Sequence, residues 1–415
     1  MTRKVYMQIE EMLELVRKAV EYMQDLSEEE YNRMSCGLKE DLKYTIETIN
    51  IELLGSPEVC FYRPDDPEAQ GEETGGRERA AVQYICWLDK ITQVLKKQYH
   101  AKNIWEERFV RLMDRVQYVD TDMMTEEVKA SLMRREKADI DSLCAYYQRF
   151  HYMWGTLDVA KDQYDVIINR VTALKEHRED FIWLYDQLED ERSRLVLVNM
   201  LYNWVTFDFN YIIRMKEANF TDYFDLDLVR CDEEEVLVDL GAWAGDSTLD
   251  YIQTYGKYKK IYCYEINGSS MEAMKKNLDG YPDIEFRNKG AGNKNGTGYI
   301  AGSSDSCCSK LADYDTGKAI ELVRLDDDIN EKVTLIKMDI EGAEQDALLG
   351  AARHIREEKP KLLISVYHNN EDIWKIPRMI KDMAVDYQLY LRSNGSQWGP
   401  AEILLIAVAE NQIDR

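Results

Sequence analysis

Over the first 220 residues the apolar positions recur every three or four places. Val5, Ile9, Met12, Leu13, Val16, Val20 and Met23 form one such stripe, with charged residues between them, and this spacing predicts an amphipathic helix. Ser27 followed by Glu30 is a capping-box pattern opening a second helix toward Leu54. Residues 55–79 hold three prolines, four glycines and many acids, the composition of a loop and the expected mobile segment of this half. Helical spacing resumes at Ala80 and runs to about Met215, with breaks at 118–122 and near Gly155. The many aromatic and Met side chains at helical spacing here are read as core packing.

From Val236 the pattern changes to short apolar runs alternating with helical stretches. Strands are predicted at 236–240, 260–265, 283–287, 333–338 and 361–367, and helices at 246–255, 268–278, 343–357 and 370–384. Two closing strands, 387–392 and 402–408, are separated by too few residues for a parallel crossover and must pair antiparallel. The fold class is therefore α/β, a mostly parallel sheet with a terminal antiparallel hairpin, preceded by an all-α region. The domains are read as 1–220 and 221–415. Residues 293–325 exceed a simple crossover, and their glycines suggest a small β insertion over the site.

The strand ends carry the chemistry, because ligands of open α/β sheets bind outside the carboxyl ends of the strands. The tract 333–350 is an apolar run that breaks into Asp339, Glu341 and Glu344 around Gly342 before a helix starts. Asp339 and Glu341 share one strand end and are candidate general bases, as is His368 at the end of the next. Neighbouring acids are expected to raise one another's pKa. Tyr367 alternates to the other side of a regular strand, so only one of the pair 367–368 should face the site. Glu344 has the simpler reading of complementing the helix dipole. Arg392 and Glu402, on the closing strands, can pair or face substrate.

At the first strand end, Asp239-Leu-Gly-Ala-Trp-Ala-Gly245 forms a turn with Gly-x-x-x-Gly spacing, unlike the glycine pattern that seats a pyrophosphate. Some 20 residues on, the second strand ends in Glu265, a carboxylate suited to ribose hydroxyls. A nucleoside cofactor without a pyrophosphate fits both features, and S-adenosyl-L-methionine is such a molecule. Asp239, Gly241, Ala242, Gly245 and Glu265 are its expected contacts, with Asn288 at the adenine edge.

Five stretches also carry a family resemblance: 185–194, Asp222-Tyr-Phe-Asp225, 238–246, Ile336-Lys-Met-Asp-Ile-Glu-Gly-Ala-Glu344, and 359–368 with Asp372-Ile-Trp-Lys-Ile-Pro377. In words and order, the segment from about 179 to 408 resembles the FkbM-type methyltransferases. The resemblance implies a class I methyltransferase-like (Rossmann-type) fold, the cofactor S-adenosyl-L-methionine, and O-methylation of a hydroxyl on a sugar or secondary-metabolite intermediate. The chain departs from the family at Ser393-Asn-Gly-Ser-Gln-Trp398, where a His or aromatic residue often follows, so no substrate contact is carried over there.

Composition narrows the remaining classes. At 415 residues with 45% hydrophobic content the chain can bury more than one core, and a net charge of -25 disfavours nucleic acid and anionic membranes as partners. A small-molecule or glycan acceptor is expected, and the helical region is the expected contact of any homo-oligomer. The eight cysteines show no metal-ligand spacing; most lie in apolar contexts, which favours a reducing cytoplasm. Cys307-Cys308 is a weak redox or metal candidate. Neither a leader-like apolar segment nor a run of roughly 18–20 apolar residues is found. No spacing singles out a metal set, although Asp339, Glu341 and Asp305 are the oxygen-rich candidates for Mg²⁺. The competing reading is a helical scaffold or interaction protein with a degenerate methyltransferase-like domain.

Overall fold

The apolar run Val236-Leu-Val-Asp-Leu240 is buried at every position, which demands cover on both faces and fits a central parallel strand. A computed structural model describes residues 3–27, 29–30, 33, 41–42, 44–49, 84–85, 87–89, 91–95, 101–217, 223–301, 310–312, 314–393 and 402–410. The loop 55–79, Asp305 and the pair Cys307-Cys308 lie outside the described residues. No described helix is long and apolar enough to cross a membrane.

The chain divides into two compact units, Met1–Arg115 and Val116–Arg415; the sequence boundary at 220 falls inside the second. In the first unit the helix Arg3–Asp25 buries Ile9, Leu13, Val16, Val20 and Met23, the stripe read from spacing. The capping box is formed: Ser27 N–H donates to Glu30 Oε2 (2.8 Å) and Glu30 N–H to Ser27 Oγ (3.2 Å).

The second unit opens with helices over 121–132, 137–149 and 151–154. A two-strand ribbon follows, β1 (Leu157–Asp158) and β2 (Gln163–Tyr164). Helices Asp165–Glu176, Arg178–Gln187, Glu191–Thr206 and Asn210–Met215 complete this part. Asp120 caps the helix after the first predicted break, accepting from Asp122 N–H at 2.8 Å, and Gly155 at φ +100° ends the helix at the second.

The main sheet contains β3 (Val236–Leu240), β4 (Lys260–Tyr264), β5 (Ile284–Arg287), β10 (Leu335–Met338), β11 (Lys361–Ser365), β12 (Tyr387–Ser393) and β13 (Ile403–Ala409). Their order is β12-β13-β11-β10-β3-β4-β5. The five strands β3, β4, β5, β10 and β11 are parallel, and β13 pairs antiparallel with β11 and β12, as the short connection required. Chain order reverses between β3 and β10, which makes their carboxyl ends the switch-point crevice.

The insertion is a separate four-stranded sheet of β6 (Gly290–Ala291), β7 (Gly296–Ala301), β8 (Lys310–Ala312) and β9 (Ala319–Val323), in the order β6-β9-β7-β8. The edge strand β12 is not left open. Glu189 N–H donates to Leu389 O (3.1 Å), and the Ser193 hydroxyl accepts from Leu391 N–H (2.9 Å). Helical residues from before the sheet thus cover an edge that would otherwise be free to pair with another chain.

Two details differ from the sequence reading. The helix expected at 343–357 is α-helical only over Glu344–Gly350 and then widens to a π turn at His354–Glu358, where the Asp326 carboxylate accepts from Arg353 and His354 N–H. The strand expected at 361–367 ends at Ser365, so strict alternation no longer applies to the two residues that follow.

Candidate functional site

Strand β3 presents Asp239, which is buried. The Ser247 and Thr248 hydroxyls each donate to it at 2.7 Å, and Lys337 Nζ lies at 3.1 Å. The adjoining turn is tight for a backbone reason. Gly241 sits at φ +75°, where a Cβ would fall 1.8 Å from the Asp339 carbonyl oxygen. Its close approach is therefore to β10. Gly245, at φ +84°, precedes the helix Asp246–Tyr255 with Met274 and Leu278 packed where a side chain would go. Ala242 is fully buried, its N–H bound to Tyr264 O at 3.1 Å.

At the end of β4, Glu265 uses each carboxylate oxygen once. Trp243 N–H donates to one (3.0 Å) and Asn267 N–H to the other (2.6 Å). Burial pushes its pKa up against these two donors. Asn288 supports this residue from behind, its side-chain amide donating to the Glu265 carbonyl at 2.7 Å.

Strand β10 brings Lys337 and Asp339 to the same crevice. Lys337 is buried in an otherwise apolar strand, and its ammonium donates to Gly241 O at 2.9 Å and lies 4.9 Å from the Tyr223 ring centroid. Burial opposes its charge, but Asp239 and Asp339 outweigh that and hold its pKa above the ordinary value. Asp339 accepts from the Tyr223 hydroxyl (2.6 Å) and the Tyr367 hydroxyl (3.4 Å), with His368 Nε2 at 3.3 Å. Burial raises the Asp339 pKa; His368 and Lys337 reverse this and leave it below the usual carboxylate value.

Because the strand has ended, Tyr367 and His368 both reach Asp339, with ring centroids 4.2 Å apart. Of the two, Tyr367 lines the cavity between the strand ends and His368 does not, although both meet Asp339 because alternation holds only while the backbone stays extended. His368 is buried between Asp339 and Glu344, with Nδ1 2.9 Å from the latter. Burial disfavours its charge, yet Glu344 and Asp339 raise its pKa to about 10. It is an imidazolium at neutral pH and cannot accept a proton there. Glu344 also accepts Ile340 N–H at 2.9 Å, so it serves the helix entrance as well as the imidazolium. Asp339, Glu344 and His368 are the described residues close enough to hold one metal ion.

Glu341 differs from its neighbours. Its backbone is left-handed, φ +58°, a conformation uncommon for a residue with a Cβ. Burial, then Asp339 and Glu344, raise its pKa to about 7 against the opposing His368, and the Tyr152 hydroxyl donates to it at 3.3 Å. Helix 151–154 also fixes the neighbouring segment, because Trp154 Nε1–H donates to Tyr367 O at 2.7 Å.

One cavity of about 320 Å³ joins the two strand ends, touching Gly241 and Glu265 on one side and Asp339, Glu341 and Tyr367 on the other. Leu311 and Ala291 of the inserted sheet line it, as does Glu402 from the closing hairpin. Arg392 does not join them; it pairs with Asp225 (2.6 Å) and Asp190 (2.7 Å). Asp239, Ala242, Gly245 and His368 are buried and do not line the cavity, and the exposed Asn288 does not line it either. Sequence reasoning missed Lys337, Tyr223 and Tyr152 as site residues. A lone lysine within Leu-Ile-Lys-Met was a legible signal for the first, and Tyr223 sits in the marked stretch Asp222-Tyr-Phe-Asp225, while Tyr152 comes from a distant segment with no local mark.

Residues 239–397 match the methyltransferase FkbM domain. The structure is similar to a methyltransferase FkbM from Methylobacillus flagellatus KT, with 28% identity over 57% of this chain and 61% of that one, at a TM-score of 0.50. This chain therefore spans less than two thirds of that relative. It is also similar to an rRNA methylase from Streptococcus thermophilus (16% identity, 43% of this chain, 88% of that one, TM-score 0.29) and to an Aeropyrum pernix fibrillarin with natively bound S-adenosyl-L-methionine (13%, 43%, 67%, 0.28). These two are too distant to bear on more than the likeness itself. No curated protein matches the chain. The match to the FkbM methyltransferase domain is thus confined to residues 239–397, inside the segment whose motifs implied it, and the fold is consistent with a class I methyltransferase.

Proposed function

We propose that the protein is an S-adenosyl-L-methionine-dependent O-methyltransferase acting on a hydroxyl of a sugar or secondary-metabolite intermediate, with the chemistry confined to the domain from about residue 221. The single observation that carries this is the cavity joining Glu265 to Glu341 across the switch point. Glu265 fits a ribose: each oxygen already accepts one backbone N–H and keeps lone pairs for a hydroxyl. Asp239, with its hydroxyl and ammonium donors, fixes the Gly241 turn beside it. S-adenosyl-L-methionine, when bound, supplies a methyl group activated by the sulfonium charge.

The chain's own task is to orient the acceptor and take its proton. Among the three candidates Glu341 is the base, because its pKa of about 7 leaves a substantial carboxylate fraction and adequate basicity at neutral pH. Asp339 is too acidic and is occupied by the Tyr223 hydroxyl. It holds Tyr367 and His368 in place, and the His368 imidazolium keeps two carboxylates together beside Glu341. The Tyr223 and Tyr367 hydroxyls donate to Asp339, which leaves their oxygens free to accept from a substrate hydroxyl.

Isothermal titration calorimetry with S-adenosyl-L-methionine tests the cofactor half of this reading. Saturable binding is expected; no heat at several hundred micromolar contradicts it and supports the scaffold reading instead.

A further inference from the structure

The large cavity is short of positive charge. Among the described residues that line it the basic side chains are Lys289 and Lys337, and both are already engaged. Lys337 lies 3.1 Å from Asp239 and donates to Gly241 O, while Lys289 sits between Asp328 (3.0 Å) and Glu321 (3.1 Å). The buried His368 imidazolium is taken up by Asp339 and Glu344. Facing the acceptor end of this space are Asp339, Glu341 and Glu402. The Tyr367 hydroxyl registers them together: burial first, and then Asp339, Glu341, Glu402 and Glu344, hold its pKa well above that of an ordinary phenol.

The chain offers no further cation nearby in sequence. The stretches that adjoin the lining residues Tyr223, Leu311 and Glu402, namely 218–222, 302–309 and 394–401, contain no Lys, Arg or His, and two of them carry an Asp. Glu402 is exposed at the edge of the cavity, and its backbone is left-handed, φ +67°. Trp243 (φ +44°) and Glu341 (φ +58°), which line the same space, share that conformation. Backbone of this kind is disfavoured for residues with a Cβ and persists only where the surroundings enforce it. An acceptor that closes this space strips water from carboxylates for which the described lining holds no uncommitted cation. An anionic group would add repulsion, and a hydroxyl would add hydrogen bonds only. An ammonium would add hydrogen bonds and the missing charge.

We propose that the acceptor is a hydroxylated amine of the amino-sugar class and that Glu402 selects it. The ammonium donates to the Glu402 carboxylate at the cavity edge, and a hydroxyl of the same molecule enters toward Glu341. Sugars bearing phosphate, carboxylate or nucleotide groups are turned away by the same field. The inference rests on reading the cavity as the acceptor site of a methyl transfer, but the charge preference itself does not depend on the cofactor.

Saturation-transfer NMR on the full chain near neutral pH, with and without S-adenosylhomocysteine, tests it. The probes are hexose derivatives that differ in charge: glucosamine, N-acetylglucosamine, methyl glucoside and glucuronate. Glucosamine should bind at least about fivefold more tightly than either neutral sugar, with the margin shrinking as salt is raised, and glucuronate should give no signal. Glu402→Gln should bring glucosamine to within about twofold of the neutral sugars. N-acetylglucosamine removes the charge from the ligand and makes the same point without a variant. Equal signals from all the sugars, absence of signal in all of them included, overturn the proposal, as does a preference for glucuronate. A glucosamine preference that survives in folded Glu402→Gln overturns the assignment of Glu402. Selective binding of glucosamine by a chain that does not respond to S-adenosylhomocysteine upholds the charge selection while counting against the methyl-transfer reading, so the two failures are told apart.

Discussion

The two sides of the crevice use the same residue type under opposite conditions. At the β3–β4 end, Asp239 and Glu265 stand apart and each is met by donors from the chain: two hydroxyls and an ammonium for one, two backbone N–H groups for the other. At the β10–β11 end, Asp339, Glu341 and Glu344 crowd one another, and one buried imidazolium is inserted among them. Carboxylates satisfied by fixed donors make a steady binding surface. At the other end burial first, and then the neighbouring carboxylates, raise Glu341 to about 7 against the imidazolium. Burial raises both Glu265 and Glu341, and the difference lies in the neighbours: backbone donors oppose it at Glu265, carboxylates add to it at Glu341.

That contrast can be broken most forcefully at His368. Its pKa is raised from 6.5 to about 10 by Glu344 and Asp339 against burial, so its contribution to stability is complete below about pH 6.5 and is lost as pH rises toward 10. His368→Ala leaves the carboxylates facing one another and should cost about 3–5 kcal/mol at neutral pH. Chemical denaturation as a function of pH measures both; equal stability of variant and wild type at pH 7 would show that the imidazolium is not the cation holding this end together.

Glu341→Gln comes next. Once an acceptor is known, single-turnover rates should fall about 100-fold or more, with cofactor affinity nearly unchanged. In the wild type the rate should climb with pH through about 7 and then level, because the carboxylate is the active form. A loss below about tenfold returns the proton to solvent.

On the other side, Glu265→Ala should weaken cofactor binding by about 1.5–3 kcal/mol, read by calorimetry. An unchanged dissociation constant in a folded variant removes Glu265 from the site. The smallest effect belongs to Tyr152→Phe. Losing a hydroxyl that donates to Glu341 at 3.3 Å should move the acid limb of the rate profile up by about half a pH unit, and a limb that stays in place would detach the helix 151–154 from the chemistry.

Much of this layout could be read from the chain, because strand ends announce themselves locally. An apolar run broken by Asp239 or Asp339 marks both strand and crevice in a few residues. The antiparallel closing hairpin followed from connection length alone. What stayed hidden depends on geometry between segments. Gly241 reads as a ligand-facing glycine, and only the structure adds that the Asp339 carbonyl stands where its Cβ would be. The His368 ring reads as a base until two carboxylates are placed on either side of it. Tyr223 and Tyr152 arrive from 116 and 189 residues away, and no local spacing encodes that.

A crystal structure of the protein with S-adenosylhomocysteine tests the division of the crevice most directly. The ribose hydroxyls should lie within hydrogen-bonding distance of Glu265, with the sulfur directed across the cavity toward Glu341 and Tyr367. A nucleoside seated away from Glu265, or a sulfur turned away from the β10 end, would contradict the account.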